Sequence, residues 1–250
     1  MGIKTLNFTI SNIITLNIIS LTNRISSPFL DFIYPPVCIV CNKSLPDSDQ
    51  KICIDCWNAI PQITKSLPRY QEARTKLLAE RYISDLVSCF VFEREGPFQQ
   101  IAHALKYKDY KSLGIELGKR IGESIQNWNI ETDIIIPVPL HRIKHRERGY
   151  NQSELIARGI ASIIRKPIMT DAVCRVRHTQ TQTKLNAEER RTNMEKAFDI
   201  IPCASEKLKG KACLLVDDVI TTGATTNSCA KEILTSGAAA IIAASAALAQ

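Results

Sequence analysis

Residues Lys211–Gly237 read KACLLVDDVITTGATTNSCAKEILTSG, and this stretch decides the fold. Its apolar run Ala212–Val216 carries no charge and predicts a strand that is buried on both faces. A turn rich in threonine follows, and then a helical pattern that ends at Gly237. A buried strand joined by a short turn to a helix predicts an open α/β sheet. In such sheets ligands bind beyond the carboxyl ends of the strands.

The turn after this strand has the chemistry of a phosphate site. Because it opens a helix, its unpaired backbone N–H groups converge on an anion, and Gly223 allows the backbone to approach closely. The spacing is not that of a nucleoside triphosphatase loop, and the turn contains no lysine. Before it stand two carboxylates, and within it three hydroxyl donors: Asp217, Asp218, Thr221, Thr222 and Thr225. This set predicts a sugar-phosphate site; a plain strand–turn–helix with a threonine N-cap is the alternative.

The block Leu215–Thr225 resembles the phosphoribosyl pyrophosphate signature of type I phosphoribosyltransferases. The resemblance implies that the two acids hold the ribose 2′ and 3′ hydroxyls and that the loop holds the 5′-phosphate. It also implies a magnesium ion that accompanies phosphoribosyl pyrophosphate and is supported by the same two acids. The binding residues expected from it are Asp217, Asp218, Thr221, Thr222, Gly223, Ala224 and Thr225.

A second strand is predicted at residues 133–140, and a basic segment follows it. Residues 141–191 hold twelve Lys or Arg against five acids, a surplus of seven that equals the net charge of the whole chain, +7. An anionic partner is therefore expected here, and phosphate, pyrophosphate and nucleic acid all remain open. We predict a basic loop after the strand, suited to pyrophosphate, with a solvated surface loop as the alternative. Its candidate ligands are His141, Arg142, Arg146 and Arg148.

Two Cys-x-x-Cys pairs near the amino terminus predict a metal site. The four thiols, separated by an eleven-residue spacer, offer the tetrahedral sulfur set that zinc prefers. Four protein ligands leave no open position, so the zinc is expected to be structural. Disulfides and a redox pair are the alternatives. The predicted ligands are Cys38, Cys41, Cys53 and Cys56.

The rest of the chain predicts alternating strands and helices. We expect a poorly ordered extension over 1–27, with a surface-binding helix as the alternative, the four-cysteine module over 28–60, a polar connector over 61–81 and an α/β domain over 82–250. Within that domain, strands are predicted at 82–92, 168–177, 198–201 and 239–247, and helices at 98–106, 113–128 and 153–164. Lys106, Tyr107 and Lys108 end the first of these helices and are interpreted mainly as partners of the helix dipole, with a role in ligand binding as the alternative.

Composition bounds the class of protein. A chain of 250 residues that is 45% hydrophobic can bury one sizeable core and a small appendage. No apolar run in residues 1–27 is long enough to cross a membrane, and no secretory signal is evident, so a reducing cytoplasm is expected. The polar residues after 175 lack apolar periodicity, and a polar connection of this length predicts a functional or mobile segment.

The order of these motifs resembles the ComF family. The resemblance rests on the four cysteines, the two basic-segment motifs PVPLH (137–141) and RGYNQ (148–152), and the acid–threonine block. It implies a phosphoribosyltransferase-like parallel sheet flanked by helices, with a zinc-ribbon module before it. It further implies a role in natural transformation, with single-stranded DNA and helicase or recombination proteins as partners.

The phosphoribosyltransferase resemblance also implies a flexible lid that closes over the reactants, with Arg175, Gln182 and Arg190 among its residues. Turnover and the acceptor stay open. The alternative function is an active phosphoribosyltransferase of nucleotide or nitrogen metabolism, similar to amidophosphoribosyltransferases and unrelated to DNA uptake.

Overall fold

A computed structural model describes residues 35–47, 50–176 and 197–249 of the chain. In chain order the strands are β1 (Asp85–Phe92), β2 (Ile134–Pro137), β3 (Val173–Arg175), β4 (Phe198–Ile200), β5 (Ala212–Ile220) and β6 (Ala240–Ala249). Four of them form a parallel sheet with the order β1–β6–β5–β2. Strands β5 and β6 occupy the centre, where most of their side chains are buried. The predicted parallel α/β fold is confirmed.

Helices flank this sheet. They are α1 (Ile54–Ala59), α2 (Pro68–Leu78), α3 (Pro97–Tyr107), α4 (Lys111–Asn127), α5 (Arg142–Arg148), α6 (Gln152–Ile164), α7 (Ser205–Leu208) and α8 (Ala224–Thr235). The predicted helices at 98–106, 113–128 and 153–164 are confirmed as α3, α4 and α6, each with slightly different ends. In the described ranges no helix combines the length and the apolar composition needed to cross a lipid bilayer.

Helices α4 and α6 pack with their backbones almost in contact. A Cβ atom added at Gly118 would lie 2.0 Å from the carbonyl oxygen of Ile156, and one at Gly159 would lie 2.2 Å from that of Ile115. Real side chains do not tolerate such distances, so glycine is required on both helices. This packing fixes the amino end of α6 at the carboxyl edge of the sheet.

The segment 61–81, predicted as a polar connector, is an integral part of the α/β core. Gln62 pairs with Phe90 along the outer edge of β1. Helix α2 then buries Tyr70 and Leu77, each 2% exposed, although most of its other residues are polar. The Tyr70 hydroxyl donates to the carbonyl of Leu86 at 2.6 Å, which ties α2 to β1. The polar residues of α2 outnumber its buried apolar ones, so the sequence pattern indicated a connector rather than a core helix.

Strands β3 and β4 do not join the parallel sheet. They pair with each other in antiparallel register, with Arg175 opposite Phe198. Upstream, Ile168 makes a single parallel bridge to Ile135 at the outer edge of β2. The strand predicted over 168–177 is thus divided between two sheets, and only Val173–Arg175 is a continuous strand.

Candidate functional site

The predicted phosphate loop lies at the carboxyl edge of the sheet, between β5 and α8. Strand β5 is longer than predicted and continues through both acids to Ile220. Asp217 and Asp218 therefore lie within the strand, near its carboxyl end, rather than after it. Thr221 and Thr222 are exposed in the loop. Ala224 begins α8, so the first N–H groups of a twelve-residue helix open onto this loop.

The loop is held from behind by helix α2. Gly223 adopts φ +78°, and an added Cβ atom would lie 2.4 Å from Cδ1 of Leu77. The buried side chain of Asn227 donates through Nδ2 to the carbonyl oxygen of Leu77 at 3.1 Å. A glycine is therefore needed for both its backbone conformation and its close approach. The loop and the end of α2 form one packed unit.

Two partly buried carboxylates precede the loop, and Oδ1 of each accepts hydrogen bonds from neighbouring groups. Asp217 Oδ1 accepts from the backbone N–H of Asp218 at 2.9 Å and from the Ser153 hydroxyl at 3.3 Å. Asp218 Oδ1 accepts from the backbone N–H of Val219 at 2.9 Å. Ser153 lies in the first turn of α6. The start of α6 and the end of β5 therefore meet at the acids.

A lysine from a third element completes this cluster. Nζ of Lys106, in the last turn of α3, lies 2.7 Å from Oδ2 of Asp218. The two side chains are 27% and 17% exposed, so the pair is partly shielded from water and its attraction is only partly screened. Lys106 is therefore a residue of the candidate site, in addition to any interaction with the helix dipole.

Burial changes the acidity of Asp217. Desolvation, with the charge of neighbouring Asp218, raises the pKa of Asp217 to about 7.

The guanidinium of Arg175, one of the predicted lid residues, lies 5.3 Å over the ring of Phe198. Desolvation lowers the pKa of Arg175, and the charge of Asp217 opposes that change. Arg175 thus lies within electrostatic range of Asp217. Gln182 and Arg190 lie outside the described residues.

The predicted basic loop after β2 is largely a helix, α5. It begins after His141, whose Nδ1 accepts from the N–H of Ile143 at 3.3 Å, and ends at Gly149 with φ +75°. Helix α5 buries none of its residues, so apolar periodicity gave no signal for it. Arg142 and Arg146 are exposed on this helix and present positive charge to solvent.

The carboxyl end of the basic segment contacts the end of α3. The Arg148 guanidinium lies 5.4 Å from the centroid of the Tyr107 ring, and its Nη1 donates to Oε1 of Gln152 at 2.9 Å. The Tyr150 hydroxyl donates to the carbonyl of Leu105 at 2.5 Å. Because Lys106 lies between Leu105 and Tyr107, these contacts bring one end of the basic segment beside the acid–lysine cluster.

A pocket of about 410 Å³ adjoins the threonine loop. Its walls include Thr221, Thr222 and Gly223 from the loop and Arg69 and Lys76 from α2. A larger pocket, of about 770 Å³, lies at the opposite edge of the sheet among polar residues such as Glu131, Asp133 and Lys166. The smaller pocket is the one that adjoins the predicted site, because it contains the loop at the start of α8.

The four predicted zinc ligands lie close together. All their Sγ atoms are within 4.8 Å of one another, and those of Cys41 and Cys53 are 3.7 Å apart. Sulfurs 2.3 Å from a tetrahedral zinc are about 3.8 Å apart, so this set fits a zinc ion and its spacing is far beyond a disulfide bond. Burial alone raises the pKa of the Cys38 thiol, but N–H groups of Cys53, Cys41 and Val40 together lower it to about 6. A thiolate, which zinc requires, is thereby stabilised.

Two family models match this chain. The double zinc ribbon domain matches residues 29–68, and the phosphoribosyl transferase domain matches residues 150–249. The first range contains all four cysteines, and the second contains the acids and the threonine loop.

Three curated proteins are similar to part or most of this chain. Competence protein F of Haemophilus influenzae is 40% identical over 99 residues, which cover 40% of this chain and 43% of that protein. The DNA utilization protein YhgH of Escherichia coli is 28% identical over 211 residues, 82% of this chain and 87% of that one. Competence protein ComFC of Bacillus subtilis is 25% identical over 206 residues, 82% of this chain and 75% of that one. The chain is thus similar to competence proteins and DNA utilization proteins, in two cases over most of its length.

Among solved structures, the glutamine phosphoribosylpyrophosphate amidotransferase of B. subtilis matches 57% of this chain and 30% of its own chain. It is 18% identical with a TM-score of 0.39, and we infer no function from it.

The expected magnesium site does not fit Asp218 as this chain holds it. Carboxylate oxygens are suitable ligands for magnesium, which requires a nearly ideal octahedral set. Oδ1 of Asp218 accepts from the N–H of Val219, whereas Oδ2 has no hydrogen-bond partner among the described residues and forms a close ion pair with the ammonium of Lys106. A divalent ion at Asp218 would have to displace a resident cation. We therefore assign no step of the chemistry to a metal bound by these residues.

Three residues of the candidate site were not identified as site residues from the sequence. Ser153 was predicted only as the start of a helix, and Asn227 only as part of one. Lys106 was interpreted mainly as a helix-end charge, although its neighbours Tyr107 and Lys108 marked an unusual helix end. A sequence signal for these contacts would have required knowing that α3 and α6 meet at β5.

Proposed function

We propose that this chain binds phosphoribosyl pyrophosphate or a related ribose phosphate at the carboxyl edge of β5. The observation that carries the proposal is the placement of two partly buried acids directly before the loop that opens α8. The acids offer acceptors for the ribose hydroxyls. The loop offers N–H and hydroxyl donors for the 5′-phosphate.

The basic segment supplies charge for the rest of the ligand. Arg148 is held between Tyr107 and Gln152 near the acid–lysine cluster, and we propose that it and its neighbours His141, Arg142 and Arg146 attract the pyrophosphate group. The predicted lid is part of the same proposal through Arg175, which lies within electrostatic range of Asp217. A lid over this site would exclude water from the bound sugar phosphate.

We also propose that the protein handles single-stranded DNA during natural transformation. Two relatives are named as competence proteins and others as DNA utilization proteins, and the exposed arginines of α5 provide sequence-independent attraction for phosphates. Its partners would then include helicase or recombination proteins. The cytoplasm, which keeps the four zinc thiols reduced, is the proposed compartment.

The ligand proposal is tested by calorimetry with phosphoribosyl pyrophosphate and with ribose 5-phosphate. Asp217→Asn combined with Asp218→Asn keeps the side-chain volumes but removes both charges, so the affinity should fall at least about ten-fold, because each lost charge-assisted hydrogen bond typically costs about 1.5–3 kcal/mol. Asp199→Asn, on the exposed face of β4, is the matched control. Equal binding by the double variant and the wild type, with both folded by thermal melting, would contradict the proposal. A pyrophosphate-release screen over nitrogen nucleophiles separates binding from transfer.

A further inference from the structure

The acids of the candidate site already have a cation of their own. Lys106 Nζ lies 2.7 Å from Asp218 Oδ2, and the lysine side chain reaches it from the last turn of α3. The other oxygen of Asp218 accepts from the N–H of Val219. Oδ2 has no hydrogen-bond partner among the described residues, so the ammonium of Lys106 is the group that balances its charge.

The charge of the acids is partly neutralised by the protein itself. Lys106 forms an ion pair with Asp218, and its ammonium also favours the charged form of neighbouring Asp217. A divalent metal binds most strongly where several carboxylates lack counter-ions, because its charge then replaces strong repulsion with attraction. Here the ion would instead be repelled by an ammonium that lies at the oxygen it needs.

We propose that Lys106 is the resident cation of the candidate sugar site and occupies the position at Asp218 that a divalent metal would otherwise take. Lys106 thus determines the metal dependence of the site. Removing its charge creates a divalent-cation site at Asp218, and keeping the charge as arginine prevents one.

The consequence for the ligand rests on the proposed function. A sugar hydroxyl that donates to Asp218 can accept from the ammonium of Lys106, because lysine offers three rotatable donors on a flexible stem. The diol of ribose 5-phosphate is then bound by a carboxylate and an ammonium together. Binding of this ligand should need no divalent metal.

The metal is tested first, with Mn²⁺ alone as the probe. Zinc-loaded full-length protein is titrated with Mn²⁺ and free Mn²⁺ is measured by electron paramagnetic resonance. Lys106→Met should bind Mn²⁺ at least about ten-fold more tightly than the wild type, because one carboxylate loses its counter-ion. Lys106→Arg should match the wild type, and Lys106→Met with Asp218→Asn should lose the gain. Wild-type Mn²⁺ affinity in Lys106→Met overturns the proposal.

The ligand is tested second, by calorimetry with ribose 5-phosphate in buffer freed of divalent ions by a chelating resin, which leaves the zinc in place. Magnesium should change the wild-type affinity by less than about two-fold. It should restore an affinity that Lys106→Met has lost by about ten-fold. Wild-type binding that requires magnesium overturns the assignment of Lys106. If no variant binds ribose 5-phosphate while Lys106→Met gains Mn²⁺, the assignment of Lys106 stands and the proposed function fails.

Discussion

Two strand-to-helix junctions lie at the same edge of the sheet, and they are built in opposite ways. The acid–threonine junction joins β5 to α8 through only Thr221–Gly223. The basic junction joins β2 to α6 through residues 138–151 and contains the whole of helix α5. Both follow buried parallel strands, so their differences arise from what packs behind them.

The acid–threonine junction is fixed along its length, whereas the basic junction is fixed at its carboxyl end. Leu77 packs against Gly223 and accepts from Asn227, which supports the short loop from behind. In the basic junction, Asn151 caps α6 and donates to the carbonyl oxygen of Val138 at 3.0 Å, while α5 buries none of its residues. We infer that the first junction provides exact geometry for a ligand and that the second provides charge.

The largest expected change in stability is at the two glycines of these junctions. Gly223 and Gly149 have nearly the same left-handed backbone, with φ of +78° and +75°. An alanine Cβ at Gly223 would collide with Leu77, whereas none of the surrounding atoms lies within 4 Å of one at Gly149. Gly223→Ala should lower the free energy of unfolding by about 2–4 kcal/mol, through strain and overpacking together, and Gly149→Ala by about 1–2 kcal/mol through strain alone.

Urea titration of both variants measures this difference. Combining Leu77→Ala with Gly223→Ala should give less than the sum of the two single effects, because the smaller side chain removes the collision. Equal losses for the two glycine variants, or strict additivity of the pair, would show that the acid–threonine junction is not held by α2.

These two junctions also differ in how far the sequence predicted them. The acids, the threonines and Gly223 lie within nine residues, so their spacing alone predicted their assembly at one strand end. Lys106 and Leu77 reach the same place from distant parts of the chain, and only the strand order and the position of α2 bring them there. Helix α5 lacks apolar periodicity because it faces solvent, so the segment predicted as a loop is helical. The zinc ligands were predictable because each pair of thiols shares one turn.

The second prediction concerns the pH dependence of stability at the acid–threonine junction. Burial raises the pKa of Asp217 from 3.8 to about 7, so between these values the folded chain binds more protons than the unfolded chain. Its contribution to the free energy of unfolding therefore falls as the pH rises from about 4 to about 7. Relative to Asp217→Asn, the wild type should lose about 1–3 kcal/mol across this range.

The measurement is urea unfolding of the wild type and Asp217→Asn at several pH values. The difference between the two proteins isolates Asp217, because both contain the same zinc thiolates and other titrating groups. Parallel stability curves would mean that Asp217 is as well solvated as an exposed carboxylate.

The smallest expected change in stability is at the exposed arginines of the basic junction. Arg142→Glu with Arg146→Glu should change the free energy of unfolding by less than about 0.5 kcal/mol, because both side chains are exposed. The same change should weaken binding of single-stranded DNA and reduce its dependence on salt, with a log–log slope flatter by about one to two.

The matched control reverses Lys207 and Lys209, two exposed lysines before β5 at the other end of that strand. Fluorescence anisotropy at several salt concentrations measures both double variants. DNA binding that responds equally to the two reversals would remove the assignment to α5, and binding unchanged by either would transfer it to the four-cysteine module.

The close backbone contact between α4 and α6 limits how the site can adapt. Because glycines 118 and 159 leave no free space between the helices, neither helix can slide or rotate without the other. Ser153, at the start of α6, then moves relative to Asp217 only if the pair of helices moves as a rigid lever. Adjustment to ligands of different size is therefore restricted to the outer wall of the site, while the wall formed by Ser153 and Asp217 keeps its dimensions.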